Sequence, residues 1–141
     1  IRNSKGIAMR VIVSALVLIF GLVFSAQAQE SEIENVINKQ IEAFKADDFE
    51  SAFAFASPSI RKIFRTSENF GRMVTNTYPM VWRPSKVTYL DLREIGGDLW
   101  QKIEIIDMAG RVHCLDYWMK KTADGWKINA VQFVKGAGVS A

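Results

Sequence analysis

Residues 86–134 indicate the fold class, and they read KVTYLDLREIGGDLWQKIEIIDMAGRVHCLDYWMKKTADGWKINAVQFV. Four runs rich in β-branched and aromatic residues alternate with three short breaks that contain glycine. Glycine supplies the positive φ of tight hairpins, and breaks this short leave no room for a crossover helix. The segment therefore predicts a four-stranded antiparallel meander. The expected strands are Val87–Ile95, Leu99–Ile106, Arg111–Met119 and Trp126–Val134.

The residues before the meander predict helices over about 31–76. Apolar residues recur there at intervals of three and four, which is the spacing of one helix face. Ser57-Pro58 and Ser67 are expected to begin two of these helices, because a serine hydroxyl accepts from free backbone N–H groups. Helices followed by a meander predict an α+β fold with the helices packed on a curved sheet. The short helix after Ser57 has three residues expected to face the core, Ile60, Ile63 and Phe64.

The first 28 residues have the pattern of a secretory signal peptide. A basic start leads into the apolar run Val11–Phe24, and Ala26-Gln27-Ala28 then fits a cleavage site of small residues. Residues 1–8 precede Met9 and are interpreted as an over-long start. We therefore predict cleavage near Ala28, export to the periplasm or the medium, and one α+β domain over residues 29–141. Contact with a membrane is expected only through the leader, before cleavage.

Charge and cysteine content exclude several classes of function. Three of the 18 basic residues lie in the leader, so the rest of the chain carries 15 basic and 15 acidic residues. That balance gives no reason to expect a nucleic-acid partner. Cys114 is the only cysteine, so no internal disulfide can form, and we interpret it as a small buried residue. One histidine and one cysteine without ligand spacing predict no metal site, and we expect no other cofactor.

A basic stripe runs along two of the predicted helices. Arg61, Lys62, Arg65 and Arg72 form it, and the aromatic residues between them, Phe64 and Phe70, are assigned to the apolar, inward side of their helices. Two interpretations are open, a solvated helix face and a contact with phosphate or anionic lipid. Base stacking is not indicated.

The connector between helices and sheet is the candidate ligand site. Two prolines stiffen it, and it leads directly into the first strand. Its aromatic rings, hydroxyls and single cation match the usual make-up of a small-molecule pocket, so we expect an apolar or anionic ligand there. The alternative is packing, in which Arg83 pairs with a surface acid such as Glu94. The candidate ligand-binding residues are Tyr78, Trp82, Arg83 and Tyr89.

The sequence resembles an uncharacterised bacterial family, domain of unknown function 4864. The resemblance covers nearly the whole chain after the leader, including Ala52–Pro58, AFAFASP, whose last five residues, AFASP, are its most specific part. It implies a cystatin-like cone similar to nuclear transport factor 2, and it implies no activity. Asn129-Ala130-Val131 stands where the family often has Gly-Cys, so no role of a C-terminal cysteine carries over. Further matching motifs are Ala43-Phe44, Ile63-Phe64, Asn69-Phe70, Met73-Val74, Tyr78-Pro79, Arg83-Pro84, Gly110-Arg111 and Asp124–Ile128.

Two pairs are candidates for acid–base chemistry in such a cone. They are Asp116 beside Trp118 and His113 beside Tyr117, since burial beside an aromatic ring shifts the pKa of a titratable group. Strand alternation places His113 and Tyr117 on one face and Asp116 on the other. No assembled catalytic set accompanies them, so no catalytic residue is assigned. The preferred function is a non-catalytic module that binds a ligand or partner, and the alternative is an isomerase- or dehydratase-like enzyme using Asp116 or His113.

Association through the sheet is also expected. Large apolar residues occupy both faces of the third strand, and the helices can cover only one face. An apolar outer face often marks an interface, so we predict a homodimer through the sheet.

Overall fold

The computed structural model describes residues 25–135. The chain divides into two compact units, Ile1–Glu32 and Ile33–Ala141. In the first unit, residues 25–32 are helical, and they include the predicted cleavage site. Alanine, glutamine and glutamate there favour a helix upstream of the expected start near residue 31. The leader core Val11–Phe24 and residues 1–8 lie outside the described residues.

The second unit places its helices before its strands, as the sequence predicts. Helix α1 comprises residues 33–45. The remaining helices are α2 (Phe49–Ala54), α3 (Pro58–Phe64), α4 (Ser67–Thr77) and α5 (Pro79–Trp82). The strands are β1 (Pro84–Ile95), β2 (Asp98–Asp107), β3 (Val112–Thr122) and β4 (Gly125–Phe133). They form one antiparallel sheet in the order β1-β2-β3-β4, which confirms the meander and the α+β class.

Local capping explains where the short helices begin. Asp48 caps α2 through Ser51 N–H at 3.1 Å, and Ser57 caps α3 through Ile60 N–H at 3.3 Å. Helix α4 starts after Thr66, whose hydroxyl accepts from Asn69 N–H, so the predicted cap Ser67 is wrong by one residue. Threonine one position earlier supplies the same acceptor oxygen, which sequence spacing alone does not distinguish.

The core lies between the helices and one face of the sheet. Leu115, Tyr117 and Met119 of β3 are fully buried, together with Ile103 and Ile105 of β2. This settles which face the helices cover, because the alternate residues of β3 remain half-buried or exposed. The inner side of α1 supplies four buried residues to the same core, Ile33, Ile37, Ile41 and Phe44.

Segment 55–57 joins the helices to the edge of the sheet. Ala56 forms a parallel bridge with Ile128 of β4, in which Ile128 N–H donates to Phe55 and Ser57 N–H donates to Ile128. The hydroxyl of Ser57 also donates to Asn129 Oδ1 at 2.7 Å. Asn129 is the extra residue at an irregularity in the β3–β4 pairing. The bridge holds the start of α3 against β4 and thereby shapes the cavity described below.

Candidate functional site

A cavity of about 240 Å³ lies between the helices and strands β3 and β4. An apolar cavity of roughly 150 Å³ is large enough to bind benzene, so this one can hold a somewhat larger molecule. Its walls come from α1, α3, α4, α5 and the sheet. The lining residues are Gln40, Phe44, Ala56, Ile60, Phe64, Phe70, Met73, Val74, Tyr78, Val81, Tyr117, Ile128, Ala130 and Val131.

Aromatic packing around Phe70 forms the helical wall of this cavity. The Phe70 ring lies 5.9 Å from Phe44 and 5.7 Å from Phe64, with Phe53 at 5.1 Å behind it. These rings come from four different helices, and their tilted and edge contacts stabilise the arrangement beyond simple area burial. The wall is therefore rigid and almost wholly apolar.

Three polar side chains line the cavity, and none of the described lining residues is charged. Gln40 is buried and donates its amide N–H to Ala52 C=O at 3.1 Å. Tyr78 donates its hydroxyl to Val131 C=O at 3.0 Å and stacks on Phe133 with ring centroids 5.1 Å apart. The donor groups of both side chains are thus already used by the fold.

Tyr117, the third polar lining residue, makes no hydrogen bond through its side chain within the described residues. It is 0% exposed, and its hydroxyl has no hydrogen-bond partner among residues 25–135. Burial raises the pKa of Tyr117 far above its usual range, and the nearby Tyr89 and Tyr78 add to the effect. The phenol is therefore neutral at physiological pH. A buried hydroxyl without a partner carries a desolvation cost that a ligand could relieve.

Tyr89 does not line the cavity. Its hydroxyl donates to the backbone carbonyl of Glu34 at 3.1 Å, which ties β1 to α1. Burial, followed by the neighbouring Glu34, raises the pKa of Tyr89 to about 12. Burial likewise raises the pKa of Tyr78. Of the four ligand-binding candidates, Tyr78 alone is found among the lining residues.

Trp82 and Arg83 lie at the C-terminal end of α1. Arg83 donates to the carbonyls of Phe44 and Lys45 at 3.1 and 3.2 Å, and to Asp47 Oδ1 at 2.9 Å. The guanidinium also stacks 4.2 Å above the Trp82 ring. Neither side chain lines the cavity. The acid that pairs with Arg83 is Asp47, where the sequence suggested one such as Glu94.

Asp47 is the shared acceptor in this cluster. Trp82 donates its indole N–H to Asp47 Oδ1 at 2.8 Å, and that hydrogen bond, followed by the one from Arg83, lowers the pKa of Asp47. Asp47 has a φ of 56°, which residues ending a helix commonly adopt. The cluster satisfies free carbonyls at the end of α1, and Asp47 and Trp82 also border a second, more open depression.

The acid–base candidates on β3 are both engaged with neighbouring side chains. Asp116 binds Arg93 through both oxygens, at 3.0 and 2.6 Å. His113 Nε2 lies 2.8 Å from Asp107 Oδ2, and this contact is the main reason that the pKa of Asp107 is lowered. Neither Asp116 nor His113 lines the cavity, although Tyr117 does. Nothing in the described geometry supports the enzyme alternative.

The outer face of the sheet carries a second group of notable residues. Trp100 and Trp118 stack there with centroids 5.5 Å apart and planes 11° apart. Cys114 lies on the same face of β3, between Val112 and Trp118. It is half-buried and forms no disulfide, and burial raises the pKa of its thiol. Among residues 25–135, no three potential metal ligands come together. In the same range, no helix is long and apolar enough to cross a membrane.

Sequence reasoning missed the helical half of the cavity. Phe70, Met73 and Val74 have the spacing of an inward helix face, but nothing in that spacing shows that they stop short of the sheet and leave a space. Gln40 could have been recognised from the sequence as a candidate site residue, because a glutamine interrupts the apolar face of α1 between Ile37 and Ile41. A polar residue on an otherwise buried face often marks a specific hydrogen bond or a site.

Together, these features define an α+β domain with a small apolar cavity, lined by a tyrosine whose buried hydroxyl has no partner among the described residues. The chain belongs to the family described as domain of unknown function DUF4864, whose model matches residues 26–141. A comparison with curated proteins gives no match. The family description assigns no activity. The likeness to nuclear transport factor 2 stays a prediction.

Proposed function

We propose that this protein is an exported, non-catalytic module that binds a small, neutral and mostly apolar molecule carrying one hydrogen-bonding group. The observation that carries the proposal is that Tyr117 lines the cavity and has a buried hydroxyl without a hydrogen-bond partner among residues 25–135. Apolar walls with very few placed polar groups are typical of small-molecule sites. A ligand that bonded to Tyr117 would relieve the cost of its unmade hydrogen bond.

The lining favours a neutral ligand over an anionic one. A charged group that enters an apolar cavity needs a paired charge or several hydrogen bonds. Arg83 was the expected partner for an anion, and it is bound to Asp47 and to the end of α1. Tyr117 remains as a neutral donor or acceptor for one polar atom.

Cavity volume limits the size of the ligand. Ordinary drug-sized pockets begin at roughly 300 Å³, so 240 Å³ suits a smaller molecule. A bicyclic aromatic compound with one hydroxyl or carbonyl group matches this space and polarity. Naphthalene derivatives are therefore suitable probes.

The test compares naphthalene, 1-naphthol and 1-naphthoate by calorimetric titration of the full chain. We expect 1-naphthol to bind most tightly and 1-naphthoate most weakly. Tyr117→Phe should reduce the preference for 1-naphthol over naphthalene by roughly two- to tenfold, the value of one hydrogen bond. Tyr89→Phe is the matched control, because Tyr89 lies outside the lining, and it should leave the preference unchanged. Absence of binding by all three probes, or equal effects of both substitutions, would contradict the proposal.

Export and self-association are parts of the same proposal. The basic, apolar and small-residue segments that end at Ala28 support export, and the aromatic outer face of the sheet supports a homodimer. Intact-mass analysis of protein from the native host should give an N-terminus at Gln29. A membrane-bound species that retains Met9 would oppose cleavage.

A further inference from the structure

Helix α3 forms a thin outer wall of the cavity. Its inner side contributes Ile60 and Phe64 to the lining, yet none of its residues is fully buried. Ile63 was expected to face the core and is instead 68% exposed. That expectation is wrong because, on a seven-residue helix with one inner stripe, Ile63 falls on the flank between Ile60 and the solvent side.

The outer side of α3 is basic. Arg61, Lys62 and Arg65 are exposed, and residues 58–66 contain no acidic side chain. The acid that follows in the sequence is Glu68, in the first turn of α4, and Arg72 of that helix bonds to Asn69. The surface therefore combines a large exposed apolar side chain with an excess of positive charge.

Arg65 adds an independent observation. It ends α3 with a φ of 71° and a ψ of −43°, near the rare and strained form of the γ-turn and outside the left-handed helical region that helix-ending residues commonly adopt. Its backbone N–H still bonds to Arg61 C=O at 2.8 Å, so the turn itself is well formed. Non-glycine residues held in such conformations cost free energy and occur preferentially at functional sites. The strained position is thus occupied by a cation on the same exposed surface.

We propose that α3 docks this protein on an anionic lipid surface. Ile63 would enter the interface while Arg61, Lys62 and Arg65 contact the headgroups, since long basic side chains extend their charge past an apolar contact. Lipid is favoured over nucleic acid because the exposed apolar residue is aliphatic and the aromatic ring between the basic residues, Phe64, lines the cavity. On the proposed function, docking would also place α3, which lines the cavity through Ile60 and Phe64, against the bilayer, from which an apolar ligand can enter.

The experiment uses a fluorescent label on the outer side of α3. Ser59 is exposed there, and Ser59→Cys in a Cys114→Ser background accepts an environment-sensitive nitrobenzoxadiazole label. Ala109→Cys in the hairpin between β2 and β3 carries the label as the control position. Each full chain is titrated with phosphatidylcholine vesicles, with or without an equal share of phosphatidylglycerol. Because the readout is local to α3, attachment through the apolar leader does not imitate docking.

We expect a blue shift from the Ser59 label with anionic vesicles only, and none from the label at Ala109. Replacing Arg61, Lys62 and Arg65 with glutamine should weaken the binding roughly a hundredfold, since each cation contributes about fivefold. The matched control replaces Lys39, Lys86 and Lys120 with glutamine and should change it little. Arg65→Gly should lower the binding about fivefold while leaving the fold as stable or more stable.

Three results of the vesicle titrations would overturn the docking proposal. They are an unshifted Ser59 label with anionic vesicles, an equal shift with neutral vesicles, and equal effects of the two glutamine sets. Binding of a soluble polyanion such as heparin without any shift at Ser59 would assign the surface to another partner and would also overturn it. The glutamine set on α3 should still bind 1-naphthol in solution. Failure of naphthol binding together with intact docking would reject the proposed function and retain the lipid contact.

Discussion

At the residue scale, the hydroxyl of Tyr117 makes an unfavourable contribution to the free energy of folding. It is buried between helices and sheet, and residues 25–135 offer it no hydrogen-bond partner. We expect Tyr117→Phe to leave the free energy of unfolding unchanged or to raise it by up to about 1 kcal/mol, because no hydrogen bond is lost. Urea unfolding of the ligand-free protein measures this.

Tyr89→Phe is the comparison for that prediction. It removes the hydrogen bond to Glu34 C=O and should lower the free energy of unfolding by about 1 kcal/mol. If Tyr117→Phe proved as destabilising as Tyr89→Phe, the hydroxyl of Tyr117 would have an unrecognised partner and would not be available to a ligand.

The Asp107 carboxylate predicts an acid-dependent part of stability. Hydrogen bonds from His113 and from the backbone of Arg111 hold the pKa of Asp107 below its ordinary 3.8. The folded protein therefore binds this proton less tightly than the unfolded chain does. The resulting stability is present above about pH 4 and is lost as pH falls through the lower folded pKa.

Asp107→Asn should consequently lower stability at neutral pH and flatten its decline in acid. The difference between parent and variant should shrink between about pH 5 and about pH 2, as followed by urea unfolding at successive pH values. Asp91→Asn replaces an exposed carboxylate of β1 and serves as the control. Parallel curves for the parent and Asp107→Asn would show that the pairing with His113 does not affect acid stability.

At the element scale, Arg83 fixes the end of α1. Its bonds to Phe44 and Lys45 carbonyls and its ion pair with Asp47 are partly exposed, with 38% of the Arg83 side chain accessible. Allowing for that exposure, we expect Arg83→Ala to lower the free energy of unfolding by about 1 kcal/mol. Arg83→Lys should retain only part of this stability, because lysine lacks the planar guanidinium group that donates several hydrogen bonds at once. Unfolding curves would contradict this role if Arg83→Ala were neutral.

The packing of α4 on α2 depends on Gly71. A Cβ at this position would lie 2.7 Å from Cδ1 and 2.8 Å from Cγ of Phe49. Glycine to alanine normally stabilises a helix by up to about 1 kcal/mol, but here we expect Gly71→Ala to destabilise by about 1–3 kcal/mol. Thermal and urea unfolding show whether Gly71→Ala lowers or raises the free energy of unfolding.

Two further variants separate the clash from helix propensity. Asn76→Ala changes an exposed residue of α4 and should be neutral or stabilising. Phe49→Ala should cost less in the Gly71→Ala background than alone, because the clashing ring is then absent. Additive effects of the two substitutions would show that α4 accommodates a Cβ without contact.

The helices and strands were predictable from sequence where turn and capping residues determine their ends. The glycine-containing breaks locate all three hairpins, and Ser57-Pro58 locates the start of α3. The exposed position of Ile63 was not predictable, because the side of α3 that faces the core depends on the bridge between Ala56 and Ile128, a contact across 72 residues. Tyr78 and Tyr117 were named from sequence, but their meeting in one cavity depends on the same distant contacts.

At the scale of the whole molecule, the outer face of the sheet supports the homodimer proposal. The stacked Trp100 and Trp118 lie there, and Val112 is 49% exposed. We expect light scattering to show a dimer at high micromolar concentration, and Trp100→Glu to shift it to monomer by burying a charge in the interface. Met108→Glu changes an exposed hairpin residue and should not. A parent protein that remains monomeric would contradict this assembly.

The short bridge at Ala56 also has a consequence for solubility. β4 is an edge strand, and unpaired edges invite other chains to add strands and grow fibrils. Both backbone groups of Ile128 are occupied by residues 55–57, and the carbonyl of Val131 accepts from Tyr78. The AFAFASP segment thus occupies the middle of the β4 edge and prevents another strand from pairing there. Loosening it, as Ser57→Ala would, should first appear as aggregation of otherwise folded protein.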